Sequence, residues 1–341
     1  NAREKMNVAV LGCGYWGKHL LRNFNNSNEW ELKYLCDIDQ KHLSKMAVQY
    51  PNSIPTGEYD KILKDDEIDA VAIATPVSTH FELAKKALSA GKHTWVEKPL
   101  TATGKEAEEL IELADKNNVL LHVDHTFIYT PAVRKIKEMV KEGVLGDVYY
   151  FDSVRINLGL FQHDINVIWD LAPHDLSILE YTVGKKPVSI SANGQDFFNY
   201  GKNDIENIAY VTVKFEDDSI AHFHVNWMSP VKIRHIIVGG NKKMLVFNDM
   251  EPLSKIKVYD SGVSVSSRED VYNTLIQYRV GDMYSPAIAN EEALEVECSH
   301  FYDCIKNNKK TNSSGESGLY VVKLLEAANK SLAQDGSSVN F

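Results

Sequence analysis

Residues 8–17 read VAVLGCGYWG, a G-x-G-x-x-G turn placed directly after four apolar residues. In such a turn Gly12 lets the chain bend sharply out of a strand, and Gly14 lets the backbone approach a pyrophosphate. Gly17 lets the next helix pack closely on the sheet. The stretch therefore predicts a strand, a tight turn and a helix whose N-terminal N–H groups face phosphates.

A second apolar segment, residues 32–36, ends at Asp37, which lies 20 positions after Gly17. A carboxylate there accepts hydrogen bonds from the adenosine ribose and repels a 2′-phosphate, and no Lys or Arg follows before Lys41. The sequence therefore predicts NAD as the cofactor rather than NADP. The alternative is a βαβ unit in which Asp37 caps a helix and no cofactor binds. Asp39 either adds negative charge or caps the helix that starts near Gln40.

Length and composition are compatible with a two-domain soluble enzyme. At 341 residues the chain exceeds what one hydrophobic core usually serves, and its net charge of −10 disfavours binding to nucleic acid or anionic membranes. No run of 18 apolar residues occurs, and the first residues are too polar for a signal peptide, so we expect a cytoplasmic protein. The four cysteines lack C-x-x-C spacing and are expected to be reduced, mostly buried thiols.

Strands and helices alternate as far as residue 123, which predicts a parallel sheet. Beyond about residue 145, short alternating segments predict a mostly antiparallel sheet, with a helix from about Trp169 to Tyr181 on one face. The expected fold class is α/β plus α+β. The expected domains are a Rossmann domain (1–125), a substrate and oligomerisation sheet domain (126–315) and a C-terminal helix returning to the first domain (316–341). Residues 263–286 are expected to be an irregular excursion near a ligand or partner.

Two motifs place reactive side chains near a bound dinucleotide. Glu97-Lys98-Pro99 follows a strand at the carboxyl edge of the sheet, where the Lys98 ammonium can stabilise a developing alkoxide and Pro99 can form a cis peptide. Asp170 and His174 are four residues apart, so a helix presents both on one face, and a histidine can exchange a hydroxyl proton. The equally weighted alternative makes Asp170 an N-cap and His174 a core residue.

Together these motifs, with Ala74-Thr75-Pro76 and His80, resemble the glucose-fructose oxidoreductase, inositol dehydrogenase and rhizopine-catabolism (Gfo/Idh/MocA) family. The resemblance covers nearly the whole chain and implies an NAD(P)-dependent oxidoreductase. It implies Lys98, Asp170 and His174 as catalytic residues. The residues expected to bind the cofactor are Gly12, Gly14, Tyr15, Trp16, Gly17, Asp37, Thr75, Pro76, His80, Glu97 and Lys98.

A narrower resemblance concerns the substrate. Residues 155–159 and 164–169 look like members of the family that oxidise C3 of UDP-N-acetylglucosamine or its uronic acid, although some of those have another residue at the position of Asp170. Arg155, Asn157 and Asn166 are the expected substrate-binding residues. Arg155 could pair with a phosphate or uronate, and the alternative is a strand-end ion pair. Free polyols such as inositol are the alternative substrates, and a non-catalytic NAD-binding sensor is the alternative function.

Other histidines are weaker candidates. His222 and His224 share a strand face without further ligands at a persuasive spacing, so we predict no metal site. His122 and His125 bracket a strand end near the candidate site, where Asp124 offers an ordinary local hydrogen-bond partner. The free apolar face of the antiparallel sheet predicts a homodimer or homotetramer.

Overall fold

The structure is a computed structural model that describes residues 5–162, 164–198, 205–265 and 276–341. The chain divides into two compact units. The first comprises Asn1–Thr130 and Glu291–Glu326, and the second comprises Pro131–Asn290 and Ala327–Phe341. None of the helices in these described ranges is both long enough and apolar enough to cross a bilayer.

Strands alternate with helices in the first part of the chain, and strands predominate after it. The strands are β1 (Met6–Leu11), β2 (Trp30–Cys36), β3 (Ile54–Thr56), β4 (Ala70–Ile73), β5 (His93–Glu97), β6 (Leu121–Asp124), β7 (Val148–Leu158), β8 (Pro187–Gln195), β9 (Ile208–Phe215), β10 (Ile220–Asn226), β11 (Met228–Gly240), β12 (Met244–Asn248), β13 (Ile256–Tyr259), β14 (Gly262–Val265), β15 (Ile276–Arg279), β16 (Met283–Tyr284) and β17 (Val339–Asn340). The helices are α1 (Gly17–Asn26), α2 (Gln40–Gln49), α3 (Tyr59–Leu63), α4 (Val77–Ser89), α5 (Gly104–Asn117), α6 (Pro131–Lys141), α7 (Val167–Thr182), α8 (Ala293–Lys306) and α9 (Gly315–Leu332), with a 3₁₀ turn at Thr126–Tyr129.

The first unit contains a six-stranded parallel sheet in the order β3-β2-β1-β4-β5-β6. All four residues of β4 are buried, as expected for a central strand covered by helices on both faces. The core of this unit is aromatic: Trp30 stacks on Phe301 of α8 with ring centroids 5.5 Å apart, and Phe24 and Trp95 pack around them. This packing fixes α8 against the parallel sheet.

The second unit contains a nine-stranded sheet in the order β16-β13-β12-β11-β7-β10-β9-β8-β17. Every neighbouring pair is antiparallel except β7 and β10, which are parallel. Helix α7 packs on one face, against β7, β9 and β10. Burial alternates along these strands: Phe151 and Ser153 of β7 are buried, whereas Asp152 and Val154 between them are only half-buried.

The predicted fold class, a parallel Rossmann sheet plus a mostly antiparallel sheet, is confirmed. The division of the chain differs from the prediction. Residues 291–315 were predicted to belong to the sheet domain, whereas in the structure they belong to the first unit, where α8 packs on Trp30. The short elements β3, α3 and α6 were not predicted. Within the segment expected to be irregular, β14 pairs with β15 and β16 joins the large sheet; residues 266–275 lie outside the described part of the chain.

Candidate functional site

The glycine turn after β1 requires its first and third glycines. Gly12 has a φ of +91°, and a Cβ built on it would lie 2.3 Å from the Ala74 carbonyl oxygen. A Cβ on Gly17 would lie 1.8 Å from the Gly12 carbonyl oxygen. By contrast, no described atom lies within 4 Å of a Cβ built on Gly14, so its backbone faces open space at the start of α1. This arrangement fits a pyrophosphate cradled at a helix N-terminus.

Asp37 lies directly after β2, where the backbone holds its carboxylate. Oδ2 accepts a hydrogen bond from the Cys13 N–H at 2.7 Å, and Oδ1 accepts one from the Asp39 N–H at 2.8 Å. Each oxygen keeps a second lone pair, which suits the two hydroxyls of a ribose. Asp39 caps α2 by accepting from the N–H groups of Lys41 and His42, so the capping interpretation of Asp39 is correct.

Cys13 lies inside the glycine turn. Burial, followed by the negative charge of Asp37, raises the pKa of its thiol to about 12. All four cysteines are buried free thiols, as the sequence predicted.

His80 joins the loops that follow β4 and β5. Its Nδ1 lies 2.9 Å from the Pro99 carbonyl oxygen, and its Nε2 lies 2.8 Å from the Thr75 carbonyl oxygen. The Lys98-Pro99 peptide is cis. Because both ring nitrogens contact the protein backbone, we assign His80 to holding the Thr75 and Lys98 loops together rather than to direct contact with the cofactor.

Asp124 and Glu297 are buried acidic residues next to the Glu97-Lys98 loop that the sequence reasoning did not place in the site. Asp124 accepts hydrogen bonds from the Trp95 indole N–H at 3.3 Å and from the Thr126 hydroxyl. Burial, and then the Asp124 charge, raises the pKa of Glu97 well above its usual value. A sequence signal for this acidic cluster was available for two of its members. Glu97 and Asp124 each end a strand of the parallel sheet, and the carboxyl ends of neighbouring parallel strands lie at the same edge.

The second unit carries Asp170 and His174 on α7. The N-cap of this helix is Asn166, whose side chain accepts from the Trp169 N–H at 3.2 Å, so the alternative that Asp170 is the N-cap is wrong. Asp170 lies in the first turn, and its Oδ2 accepts a 2.8 Å hydrogen bond from the fully buried Trp227 indole. Both Asp170 and His174 are partly exposed.

Trp227 was not predicted as a site residue. The only sequence signal for its role was its position directly after the alternating strand β10. If its side chain is buried there, the indole N–H needs a hydrogen-bond acceptor. The structure provides Asp170 as that acceptor, which fixes the orientation of the carboxylate.

Arg155 lies in a different environment from either one that the sequence suggested. It is 5% exposed, and its Nε and Nη2 donate to the two carboxylate oxygens of Asp175 at 3.0 and 2.7 Å. Ser153 donates to the same carboxylate at 2.6 Å. The arginine is thus part of a buried ion pair between β7 and α7 rather than of a surface ion pair.

The two predicted asparagines also differ from each other. The Asn166 amide donates to Glu206 at 3.1 Å and to Asn329 at 3.0 Å, in addition to capping α7. Asn157 is half-buried on β7, and its Nδ2 lies 3.4 Å from the Leu158 carbonyl oxygen. Asn166 therefore has a structural role, and Asn157 remains the predicted substrate residue with the fewest protein contacts.

Three features together are typical of an NAD-binding dehydrogenase. They are a parallel βαβ sheet with a glycine turn, a carboxylate directly after its second strand, and a separate antiparallel sheet unit. Two family models match the chain: "Oxidoreductase family, NAD-binding Rossmann fold" over residues 6–125, and "GFO/IDH/MocA C-terminal domain" over residues 133–246. Together they cover well over half of its length. The chain belongs to the Gfo/Idh/MocA oxidoreductase family, as the resemblance of its motifs predicted.

Several proteins resemble the chain individually. UDP-N-acetylglucosamine 3-dehydrogenase of Acidithiobacillus ferrooxidans is 31% identical over 193 residues, 55% of this chain and 58% of that protein. Myo-inositol 2-dehydrogenase of Thermotoga maritima is 22% identical over 346 residues, 97% of this chain and 98% of that protein. The solved structure of GenD2 from gentamicin A biosynthesis, in complex with NAD, has a TM-score of 0.82 at 21% identity and covers 100% of this chain and 97% of that chain. This last likeness shows the shared fold.

The predictions of an oxidoreductase and of NAD as its cofactor are thereby confirmed.

We predict that Asp37 selects NAD over NADP. The unmutated protein should bind NAD at least about tenfold more tightly, because a 2′-phosphate would face an uncompensated carboxylate. Asp37→Ser should narrow this gap. Isothermal titration calorimetry with both cofactors measures this difference. Asp39→Ser is the matched control, because it removes a neighbouring carboxylate while keeping a residue that can cap α2. Equal affinities in the unmutated protein would show that Asp37 does not select the cofactor.

We predict that Arg155 acts in folding. Arg155→Ala leaves Asp175 buried without its partner and should lower the free energy of unfolding by about 3–5 kcal/mol, measured by urea denaturation. Lys186→Ala, which breaks the exposed Lys186–Glu216 pair, is the control and should leave stability unchanged within error. A stable Arg155→Ala variant with a raised KM for phosphate-bearing substrates alone would return Arg155 to substrate binding.

Proposed function

We propose that this dehydrogenase oxidises a secondary alcohol of a nucleotide sugar, at C3 of a UDP-N-acetylhexosamine. One observation supports the proposed oxidation chemistry. The buried Trp227 indole donates to the Asp170 carboxylate, which lies one helical turn before His174 on α7. The name of the Acidithiobacillus relative and the resemblance of residues 155–159 and 164–169 support the substrate. The name of the Thermotoga relative supports a free polyol as the alternative.

Each proposed catalytic residue has a role that follows from its chemistry. When bound, NAD accepts the hydride from the alcohol carbon. Lys98 polarises the alcohol oxygen with its positive charge, and His174 accepts the hydroxyl proton. Asp170 orients the histidine or balances its charge when it becomes protonated. Trp227 acts through Asp170 and is therefore a positioning residue.

The proposed cofactor contacts follow the structure of the first unit. The backbone of Gly12, Gly14 and Gly17 would hold the pyrophosphate, with Tyr15 and Trp16 exposed at the start of α1. Asp37 would bind the adenosine ribose. Thr75, Pro76, Glu97 and Lys98 follow β4 and β5 at the carboxyl edge of the sheet, where dinucleotides bind in open α/β folds.

The buried ion pair of Arg155 changes the substrate part of this proposal. Because its Nε and Nη2 donate to Asp175, we assign the guanidinium to this ion pair rather than to a substrate phosphate. The proposal for a nucleotide sugar therefore depends on Asn157 among the predicted substrate residues, together with the relatives.

We predict that Lys98→Ala and His174→Ala each lower kcat by about 100-fold or more, because general acid–base and electrostatic groups act mainly in the transition state. Absorbance of NADH measures the rate, and titration should show that His174→Ala leaves NAD affinity unchanged. His42→Ala, at an exposed position on α2, is the control. If His174→Ala unfolds the protein and the folded fraction keeps its full specific activity, His174 is a structural residue.

We predict the highest kcat/KM for UDP-N-acetylglucosamine or its uronic acid, at least about tenfold above myo-inositol and glucose, because remote contacts orient the reacting carbon. Asn157→Ala should lower this preference. If a free polyol is the best substrate, the nucleotide-sugar proposal is wrong and the dehydrogenase assignment stands. If no compound in a broad sugar panel yields NADH, a non-catalytic NAD sensor is favoured.

We also propose that the open face of the nine-stranded sheet joins a second copy of the chain. Side chains opposite α7 on this sheet include Tyr210 (44% exposed) and Ile220 (42% exposed), and the Tyr210 ring stacks on His224 with centroids 4.5 Å apart. A face of this kind, broad and partly apolar, is typical of a subunit interface.

We predict a homodimer or homotetramer in sedimentation velocity runs, with more than about 1,000 Å² buried at a stable contact. Tyr210→Asp combined with Ile220→Asp should shift it to monomer, because charges would be buried in the contact. Val48→Asp, which changes an exposed residue of α2, is the matched control. A monomer at micromolar concentration in the unmutated protein would refute the interface.

A further inference from the structure

Large apolar side chains are exposed on two loops of the second unit, one after β7 and one after β8. These side chains are Leu160, Phe161, Phe197 and Phe198. The two loops meet, because the centroids of the Phe161 and Phe198 rings lie 5.3 Å apart. Exposed apolar groups that cluster in this way are typical of a binding surface.

The loop after β8 is held by hydrogen bonds of its backbone rather than by burial of its aromatic rings. The side chain of Asn207 is buried; its Oδ1 accepts from the Phe197 N–H at 2.7 Å, and its Nδ2 donates to Asp196 at 2.9 Å. Asp196 also accepts from the Phe198 N–H at 2.9 Å. The loop is therefore ordered while its rings stay exposed, which lowers the entropic cost of binding a ligand to them.

The loop after β7 lies directly on Trp227. The Gly159 N–H donates to the Trp227 carbonyl oxygen at 2.9 Å, and a Cβ built on Gly159 would lie only 2.5 Å from Trp227 Cδ1. The Phe161 ring packs on the same indole with centroids 5.6 Å apart. The rings of Phe198, Phe161 and Trp227 therefore form a continuous row, and the last of them donates to the Asp170 carboxylate.

A cavity of about 380 Å³ lies beside this row of rings. The described residues that line it are Phe161, Gln162, Asp196, Phe198, Ile205, Asn207 and Trp227. Phe161 and Phe198 are 41% and 53% exposed, whereas Trp227 is fully buried behind them. The planes of the two phenylalanine rings meet at 85°, so a flat ligand can stack on one ring and contact the edge of the other.

The polar groups of the cavity suit an uncharged ring that carries N–H and C=O groups. Among the described residues that line it, Asp196 is the charged one, and a carboxylate repels a phosphate. The Gln162 carboxamide has both donors and an acceptor, the groups that pair with the edge of a nucleobase. Apolar walls with a few polar groups are typical of small-molecule sites.

We propose that this cavity binds the nucleobase of the nucleotide sugar, with the base stacked on Phe161 or Phe198. Proteins bind bases on aromatic side chains in this way. The diphosphate lies outside the cavity, and the sugar extends along the row of rings toward Asp170 and His174. The inference rests on the proposed function, and it supplies the nucleotide contact that the ion pair of Arg155 leaves unassigned.

The first test measures UDP binding by isothermal titration calorimetry in saturating NAD, so that the dinucleotide site is already occupied. Phe161→Ala and Phe198→Ala should each raise the Kd of UDP about tenfold, because a stacking surface is lost. Phe198→Tyr keeps an aromatic ring and should stay within about twofold of the unmutated Kd. Phe197→Ala is the matched control, because Phe197 is exposed on the same loop but does not line the cavity.

Pyrophosphate is the probe without a base. It should bind at least about tenfold more weakly than UDP to the unmutated protein, and Phe198→Ala should leave its affinity unchanged. The proposal is wrong if pyrophosphate binds as tightly as UDP, if UDP does not bind the NAD-saturated protein, or if the alanine variants bind UDP as tightly as the unmutated protein. A smaller assembly of either alanine variant in sedimentation velocity would also overturn it, because the two rings would then contact a second copy of the chain.

NADH absorbance with UDP-N-acetylglucosamine separates this inference from the proposed function. We expect Phe161→Ala and Phe198→Ala to lower kcat/KM for this substrate about tenfold, because the base helps to hold the sugar in place. If UDP binding depends on Phe198 but UDP-N-acetylglucosamine yields no NADH, the base-binding cavity stands and the proposed reaction is wrong. If this substrate is oxidised with the same kcat/KM in both alanine variants as in the unmutated protein, the reaction stands and the base-binding cavity is wrong.

Discussion

The first unit depends on one close approach of backbone to backbone. The turn after β1 passes so near β4 and its own helix that a methyl group on Gly12 or Gly17 would overlap a carbonyl oxygen. This contact aims the N-terminus of α1 at the open space beside Gly14, and it brings the Cys13 N–H within reach of Asp37. Phosphate recognition and ribose recognition therefore share one rigid turn.

Sequence reasoning predicted the features that have a local cause. Buried parallel strands contain continuous apolar runs, so β1 and β4 were recognisable, and α2 begins at the cap that Asp39 suggested. The unit that contains α8 was not predicted, because the position of this helix follows from the stacking of Phe301 on Trp30, 271 residues earlier in the chain. No local pattern contains such a contact.

The candidate site shows the same division. The motifs and their resemblance to the family made Lys98, Asp170 and His174 candidate catalytic residues, whereas Trp227 could be connected with Asp170 only by the fold. Arg155 is the clearest example of the limit. A strand arginine can bind a substrate anion or an internal carboxylate, and the choice depends on whether α7 presents Asp175 to it. Buried charges are expensive without partners, so a pair formed in this way has a structural role first.

The burial of Cys13 has a practical consequence for chemical probing. A thiol reacts with alkylating agents and oxidants as the thiolate, and a cysteine whose pKa is about 12 is almost entirely protonated at neutral pH. Cys36 and Cys304, with pKa values raised by burial to about 11, are protected in the same way. Loss of NAD binding after treatment with a thiol reagent would therefore report unfolding of the glycine turn rather than modification of an accessible cysteine in the native protein.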